Sequence, residues 1–143
     1  MKIILALALL FILPSSFACM CDQGTVQENI KLSSWALRVK ISQIDYVPRN
    51  LELKKNGYNK VTFDIKETFK SSGSITSFTE SASSCGFPTY PDQEAILFVT
   101  KNGRVSRCSR SVVNDESDPY SVEEFHKVLL KLRQLPNKAI KQD

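Results

Sequence analysis

Between residues 60 and 70 the chain alternates cleanly. Val61, Phe63 and Ile65 fall on one side and Thr62, Asp64 and Lys66 on the other, a period of two that predicts a half-buried β-strand. Trp35 to Val47 is rich in β-branched and aromatic residues, and Leu37, Val39 and Ile41 alternate with Arg38, Lys40 and Ser42, which predicts a second long strand. The polar stretch 48–59, with Asn56-Gly57 inside it, is expected to be the loop or hairpin tip joining the two. Ser71-Ser72-Gly73 turns the chain into a shorter strand over 75–79. Ala95-Ile96-Leu97-Phe98-Val99, inside the stretch 94–100, is an unbroken apolar run of the kind a buried strand carries. Lys101-Asn102-Gly103 then predicts a hairpin turn, with 104–109 as the partner strand carrying Cys108. The irregular segment 81–91 holds Cys85-Gly86 and two prolines and is expected to cross the surface.

Helical spacing occurs at both ends. Thr25 is placed to cap a short helix ending at Leu32, with Glu28 three residues on to complete a capping box. After an acidic loop over 114–120, Ser121 and Glu124 repeat that signature ahead of a stripe of Val122, Phe125, Val128, Leu129 and Leu132. Pro136 ends this helix, expected over 121–135, and 137–143 reads as a tail. Five strands with a helix before and a helix after give a mainly β fold. The compact arrangement for such a meander is a partly open five-stranded OB-type β-barrel with the helices packed outside, an open α+β sheet being the alternative.

The first residues belong to none of this. Lys2 precedes an uncharged apolar run from Ile3 to Leu13, and Pro14 and Ser15-Ser16-Phe17-Ala18 follow, the layout of a removable secretory signal over 1–18. The run is short of the ~20 apolar residues that cross a bilayer. The mature chain is then expected to begin at Cys19, to be secreted, and to form one domain over 19–136. All four cysteines, Cys19, Cys21, Cys85 and Cys108, lie in that part, and an even number in an exported chain argues for disulfides. A Cys19–Cys21 ring would be strained. Both remaining pairings tie the N-terminus to distant positions, each bridge contributing roughly 4 kcal/mol by loop closure.

Composition narrows the function. Net charge is +4, or +3 once Lys2 is removed, with charges interspersed along the chain. Neither Lys54-Lys55 nor Arg104, Arg107 and Arg110 is interleaved with aromatics as a nucleic-acid surface would be. There is one histidine, His126, beside the stripe of the last helix, and Ser83-Ser84 has no nearby base. Glu123 and Glu124 point about 100° apart on a helix and cannot act as an acid–base pair. The expectation is a monomeric non-enzyme with no cofactor of its own and no membrane span.

Cys19-Met20-Cys21 is the informative motif. A free α-amino group, with a pKa near ~7.7–8.0, has a lone pair to offer at physiological pH. With the carbonyl oxygen of Cys19 it can close a five-membered chelate on zinc. Two disulfides within three residues would hold that geometry ready and direct it at the open coordination position of a partner enzyme's catalytic zinc. Met20 beside it is a flexible apolar side chain suited to a specificity pocket.

Cys19-Met20-Cys21 and Ser83-Ser84-Cys85-Gly86-Phe87 resemble the two reactive-edge motifs of the tissue inhibitors of metalloproteinases, which read Cys-x-Cys at the start and Ser-x-Cys-Gly later. Trp35 to Val39 resembles that family's first barrel strand. Val61 to Ile65 with Phe69-Lys70 resembles its second, and Leu97-Phe98 and Cys108 follow in order. The resemblance covers most of 19–110. It implies a netrin-like OB barrel, Cys19–Cys85 and Cys21–Cys108 bridges, and an inhibitory edge made of Cys19, Met20, Cys21, Ser83, Ser84, Cys85, Gly86 and Phe87. It also implies a zinc metalloproteinase as partner, its zinc coordinated by the amine and carbonyl of Cys19. The family's third bridge in this domain and its second cysteine-rich domain have no counterpart here. Two other outcomes follow from the same residues. One is a non-inhibitory surface-binding or assembly module stapled by the bridges. The other is a periplasmic or cell-surface lipoprotein acylated at Cys19, for which Ser16-Phe17-Ala18 is a poor signal.

Overall fold

The computed structural model describes residues 21–50, 57–82 and 86–136. The expected signal segment, Cys19, Met20, the Asn56 loop tip, Ser83, Ser84, Cys85 and the 137–143 tail lie outside the described residues. In chain order the elements are α1 (Val26–Leu32), β1 (Trp35–Val47), β2 (Tyr58–Lys70), β3 (Ser77–Ser81), β4 (Glu94–Val99), β5 (Val112–Asn114) and α2 (Pro119–Gln134). The strands form one antiparallel sheet in the order β3-β2-β1-β4-β5, so the fold is mainly β with two described helices. None of the described helices is long and apolar enough to cross a membrane.

Pleating sorts the core into two layers, because successive side chains of a strand point to opposite faces. Leu37, Val39 and Ile41 of β1 meet Val61, Phe63, Phe78, Ala95, Leu97 and Val99 on one face. Ala36, Phe69, Ile96 and Phe98 turn to the other, where they pack against Val26 and Ile30 of α1 and Phe125, Val128, Leu129 and Leu132 of α2. β4 therefore contributes to both layers, which is why its sequence is an unbroken apolar run. Three register shifts along the β1–β2 ladder mark irregularities of the kind that bend and twist a sheet. The Lys70 ammonium donates to the carbonyls of Ile30 (2.8 Å) and Ser33 (2.6 Å), capping the C-terminal end of α1 and tying it to the sheet.

The sheet is not closed into a barrel. The expected turn after β4 forms, with Thr100 N–H donating to Arg104 O at 3.0 Å and Gly103 in the left-handed region (φ +67°). The chain beyond it does not return along β4 as a strand over 104–109. It crosses to β3 for a single parallel bridge between Thr79 and Arg104, through Thr79 N to Gly103 O (2.8 Å) and Val105 N to Thr79 O (3.2 Å). Ser106 to Ser109 then folds into a turn, because Ser109 donates twice to the Ser106 carbonyl and the Ser106 hydroxyl accepts from Cys108 N–H. Local hydroxyl bonding of this kind competes with a strand ladder. The fifth strand is Val112–Asn114 instead, paired with Glu94 to Ile96.

Two shorter shifts have similar causes. The third strand lies over Ser77–Ser81 rather than 75–79, pairing with Tyr58 to Thr62. The last helix begins at Pro119 with Asp118 as its cap, whose carboxylate accepts from Tyr120 N–H at 3.1 Å, and not at Ser121. Proline suits the first helical turn because its missing N–H is not needed there. The Ser121 hydroxyl is used elsewhere: it donates to Val113 O (2.7 Å) and accepts from Asp115 N (3.3 Å), pinning α2 to the end of β5.

Candidate functional site: the anchored N-terminal edge

The described chain begins at Cys21, and Cys21 is covalently bound to Cys108, 87 residues away, with Cα atoms 5.4 Å apart. Such a bond is compatible with an oxidising, extracellular setting. The residues after it are fixed one by one. The Asp22 carboxylate accepts from Gly24 N–H at 2.9 Å, closing a tight turn that puts Gly24 at φ +62°. A Cβ there would meet the Glu28 carboxylate at 3.1 Å in a backbone region that L-residues avoid. That carboxylate is committed to the capping box, accepting from Thr25 N–H at 2.6 Å, while Thr25 Oγ1 accepts from Glu28 N–H at 3.2 Å. The backbone N–H of Thr25, and then its side chain, hold the Glu28 carboxyl below its usual range.

Asn29 is the hub. It is buried, and its amide donates to Gln23 O (2.7 Å) and Thr25 O (2.9 Å), while its oxygen accepts from Arg110 N–H (3.0 Å). Arg110 also donates to the Gln23 side chain at 3.3 Å and pairs with Glu124 of α2. Glu124 thus serves as an ion-pair partner rather than as a capping-box member. The segment leading out of the Cys108 turn is held by the same helix that follows the Asp22 turn, so the bridge and the hydrogen-bond network brace each other. Replacing Asn29 by leucine keeps the volume and strips all three bonds, taking their side-chain partner from the part-buried Gln23 carbonyl and Arg110 N–H, while Thr25 O keeps its bond from the backbone N–H of residue 29. Its expected cost is about 2–3 kcal/mol, read as a lowered urea midpoint.

Of the residues expected at the edge, Cys21 is exposed and Gly86 is half-buried. Phe87 is 5% exposed and packs in the sheet's first core layer, so its side chain anchors the segment instead of facing a partner. Cys19, Met20, Ser83, Ser84 and Cys85 lie outside the described residues. His126 is exposed and touches the Phe125 ring edge-on. Among the described residues no group of three or more His, Cys, Asp or Glu is placed to hold a metal ion. A cleft of about 610 Å³ beside Lys40, Asp92, Glu94 and Asp115 is polar and lies across the β4–β5 end of the sheet.

Asn29 and Glu80, which no motif singles out, each carry a signal of position in the sequence. Asn29 sits between Val26 and Ile30 on the buried face of a short helix. Glu80 shares a strand face with Phe78. A polar residue at a core-facing position is the recognisable mark of a buried hydrogen-bond network. Comparison of the chain with models of known protein families, and with characterised proteins, returns no match.

Proposed function

We propose that the chain is a secreted inhibitor of zinc metalloproteinases whose weapon is its own N-terminus. Signal cleavage frees the α-amine of Cys19, and that amine and the Cys19 carbonyl chelate the catalytic zinc of the target. Met20 enters the enzyme's specificity pocket, and the Ser83 to Gly86 backbone flanks the contact. The observation that carries this reading is the Cys21–Cys108 bond backed by the Asn29–Arg110 network. An N-terminal wedge works only if its entropy has been removed beforehand, and the chain from residue 21 onward is held by the bridge, by the local Asp22 turn and capping box, and by the Asn29 and Gln23 bonds to Arg110. The second bridge of the proposed edge is Cys19–Cys85, the pairing that the family resemblance implies.

The OB-type barrel belongs to the same reading. β1 pairs with both β2 and β4, and the Thr79–Arg104 bridge links the β3 edge to the chain leaving β4, which is the direction in which such a barrel closes. An inhibitor of this type supplies no metal; it occupies the position that an enzyme's zinc keeps open for water and so removes the nucleophile.

The test is titration of the protein beginning at Cys19 against a panel of zinc metalloproteinases, with serine and cysteine proteases as controls. Stoichiometric inhibition confined to one or more zinc enzymes is the expected result. No inhibition anywhere in the panel, from protein with intact bridges, overturns the proposal and leaves the bridged domain as a binding or assembly module.

A further inference from the structure

Glu80 occupies a position the strand pattern reserves for an apolar side chain. It lies on β3, two residues after Phe78, and is 5% exposed. Its Oε1 accepts from the Asn59 amide of β2 at 3.2 Å and from the Thr89 hydroxyl at 3.2 Å. Its Oε2 is buried with no hydrogen-bond partner among the described residues. Thr89 is itself buried, and it stands two residues beyond Phe87 on the segment that leads to β4. One carboxyl group therefore joins three pieces of chain: β2, β3 and the 87–90 segment.

An ionised carboxylate is poorly suited to this place. A buried charge needs every lone pair answered, and one oxygen here is bare. The neutral acid fits better, since it keeps Oε1 as the acceptor for both donors and leaves one O–H, not a charge, without a partner among the described residues. Burial pushes the Glu80 carboxyl above its ordinary value of 4.5, and the bonds from Asn59 and Thr89 offset part of that rise. Along the paired stretch of β2 and the segments beside it the titratable or charged groups are Tyr58 and Lys60, Tyr90 after Thr89, and Arg104 beside Thr79, all exposed; Asp64, Lys66, Glu67 and Lys70 lie further along β2, beyond the residues paired with β3, and no charge contributes to the shift.

We propose that Glu80 is a pH-sensitive latch: buried as the neutral acid it lets the 87–90 segment close over the β2–β3 pair, and ionisation, although it strengthens the bonds from Asn59 and Thr89, leaves a charge with one bare oxygen out of water and so favours opening of that segment. The latch rests on the fold alone and holds whether or not the protein inhibits a protease. Because the folded protein binds this proton more tightly than the unfolded chain does, the stabilisation is complete below pH 4.5 and is lost as pH rises through the folded value. Glu28, Glu67 and Asp115 act in the opposite sense. Their carboxyls are lowered, so their contributions are in place above the ordinary carboxylate range and fade only in acid.

The experiment compares the bridged wild-type protein with Glu80→Gln in urea titrations between about pH 5 and 8, alongside carbon NMR of the Glu80 carboxyl in the wild type. The wild-type midpoint should fall as pH rises, and the E80Q midpoint should not show that fall. The Glu80 carboxyl should titrate above the ordinary glutamate value of 4.5. Thr89→Val, which removes one of the bonds favouring the anion, should move that titration higher still. Parallel midpoint profiles for the two proteins, a Glu80 carboxyl titrating at or below 4.5, or an unmoved titration in T89V each overturn the latch. If E80Q does not fold, the two NMR measurements decide.

Discussion

Replacing Cys21 and Cys108 together by serine is expected to cost about 3.5 kcal/mol of folding free energy, less than the roughly 4.6 kcal/mol of an isolated loop this long. The larger figure applies to a sequence separation of 87 residues closed by one bridge. The smaller one applies if Cys19–Cys85 is already closed. The unfolded chain can then pass from residue 21 to residue 108 through the other bridge, and the ring that Cys21–Cys108 adds has roughly 25 residues. The same double substitution, made in a protein that already lacks Cys19 and Cys85, should restore the larger cost. Urea unfolding of the four proteins completes the cycle and reads the coupling between the two pairs as a difference of about 1 kcal/mol. Equal costs in both backgrounds would show that Cys19 and Cys85 are not joined to each other, and the edge in Proposed function would lose its second bridge.

Elements whose sequence signal is local were legible before the structure. The capping box at Thr25 and Glu28, the alternation through Val61 and Phe63, and the Phe125–Leu132 stripe each depend on neighbours within a few residues, and each forms where the pattern puts it; Ile65, the next position of that alternation, is exposed and joins neither core layer. What failed depended on distant competition. Residues 104–109 carry an acceptable strand composition after an Asn-Gly turn, yet the free edge of β3 captures the backbone at Arg104, and the Ser106–Ser109 hydroxyls consume the bonds that follow. Nothing near residue 104 announces that β3 ends beside it. Val112 to Asn114 is too short to stand out, and it becomes a strand because Glu94 to Ile96 offers it an edge. Ser121 and Glu124 reproduce a capping-box spacing that Asp118-Pro119 supersedes from three residues upstream, which frees Ser121 for β5 and Glu124 for Arg110. The candidate edge divides in the same way. Its cysteine spacing is visible in the sequence, whereas the Asn29 hub that braces it pairs residues as far as 81 apart.

One alanine placed ahead of Cys19 should abolish inhibition while leaving the fold untouched, and this is the most direct test of the mechanism. Chelation through a five-membered ring needs the amine nitrogen and the carbonyl oxygen of the same residue. In the extended protein the Cys19 nitrogen becomes a peptide nitrogen with no lone pair for a metal. The new amine sits on a residue that neither bridge restrains, so its ordering must come out of the binding energy. The extra residue also stands where the zinc would approach. A loss of at least about 100-fold in affinity, near 2.7 kcal/mol, is the expected result. The urea midpoint should not change, because Cys21–Cys108, the Asp22 turn and the Asn29 bonds all lie downstream of the insertion. The amine also predicts a pH signature. Only its neutral form coordinates, so inhibition by the unextended protein should strengthen as pH rises toward the ~7.7–8.0 range where an α-amine loses its proton. An extended protein as potent as the original would sink the chelation mechanism, since a contact made by side chains and backbone further along has no reason to notice one added residue.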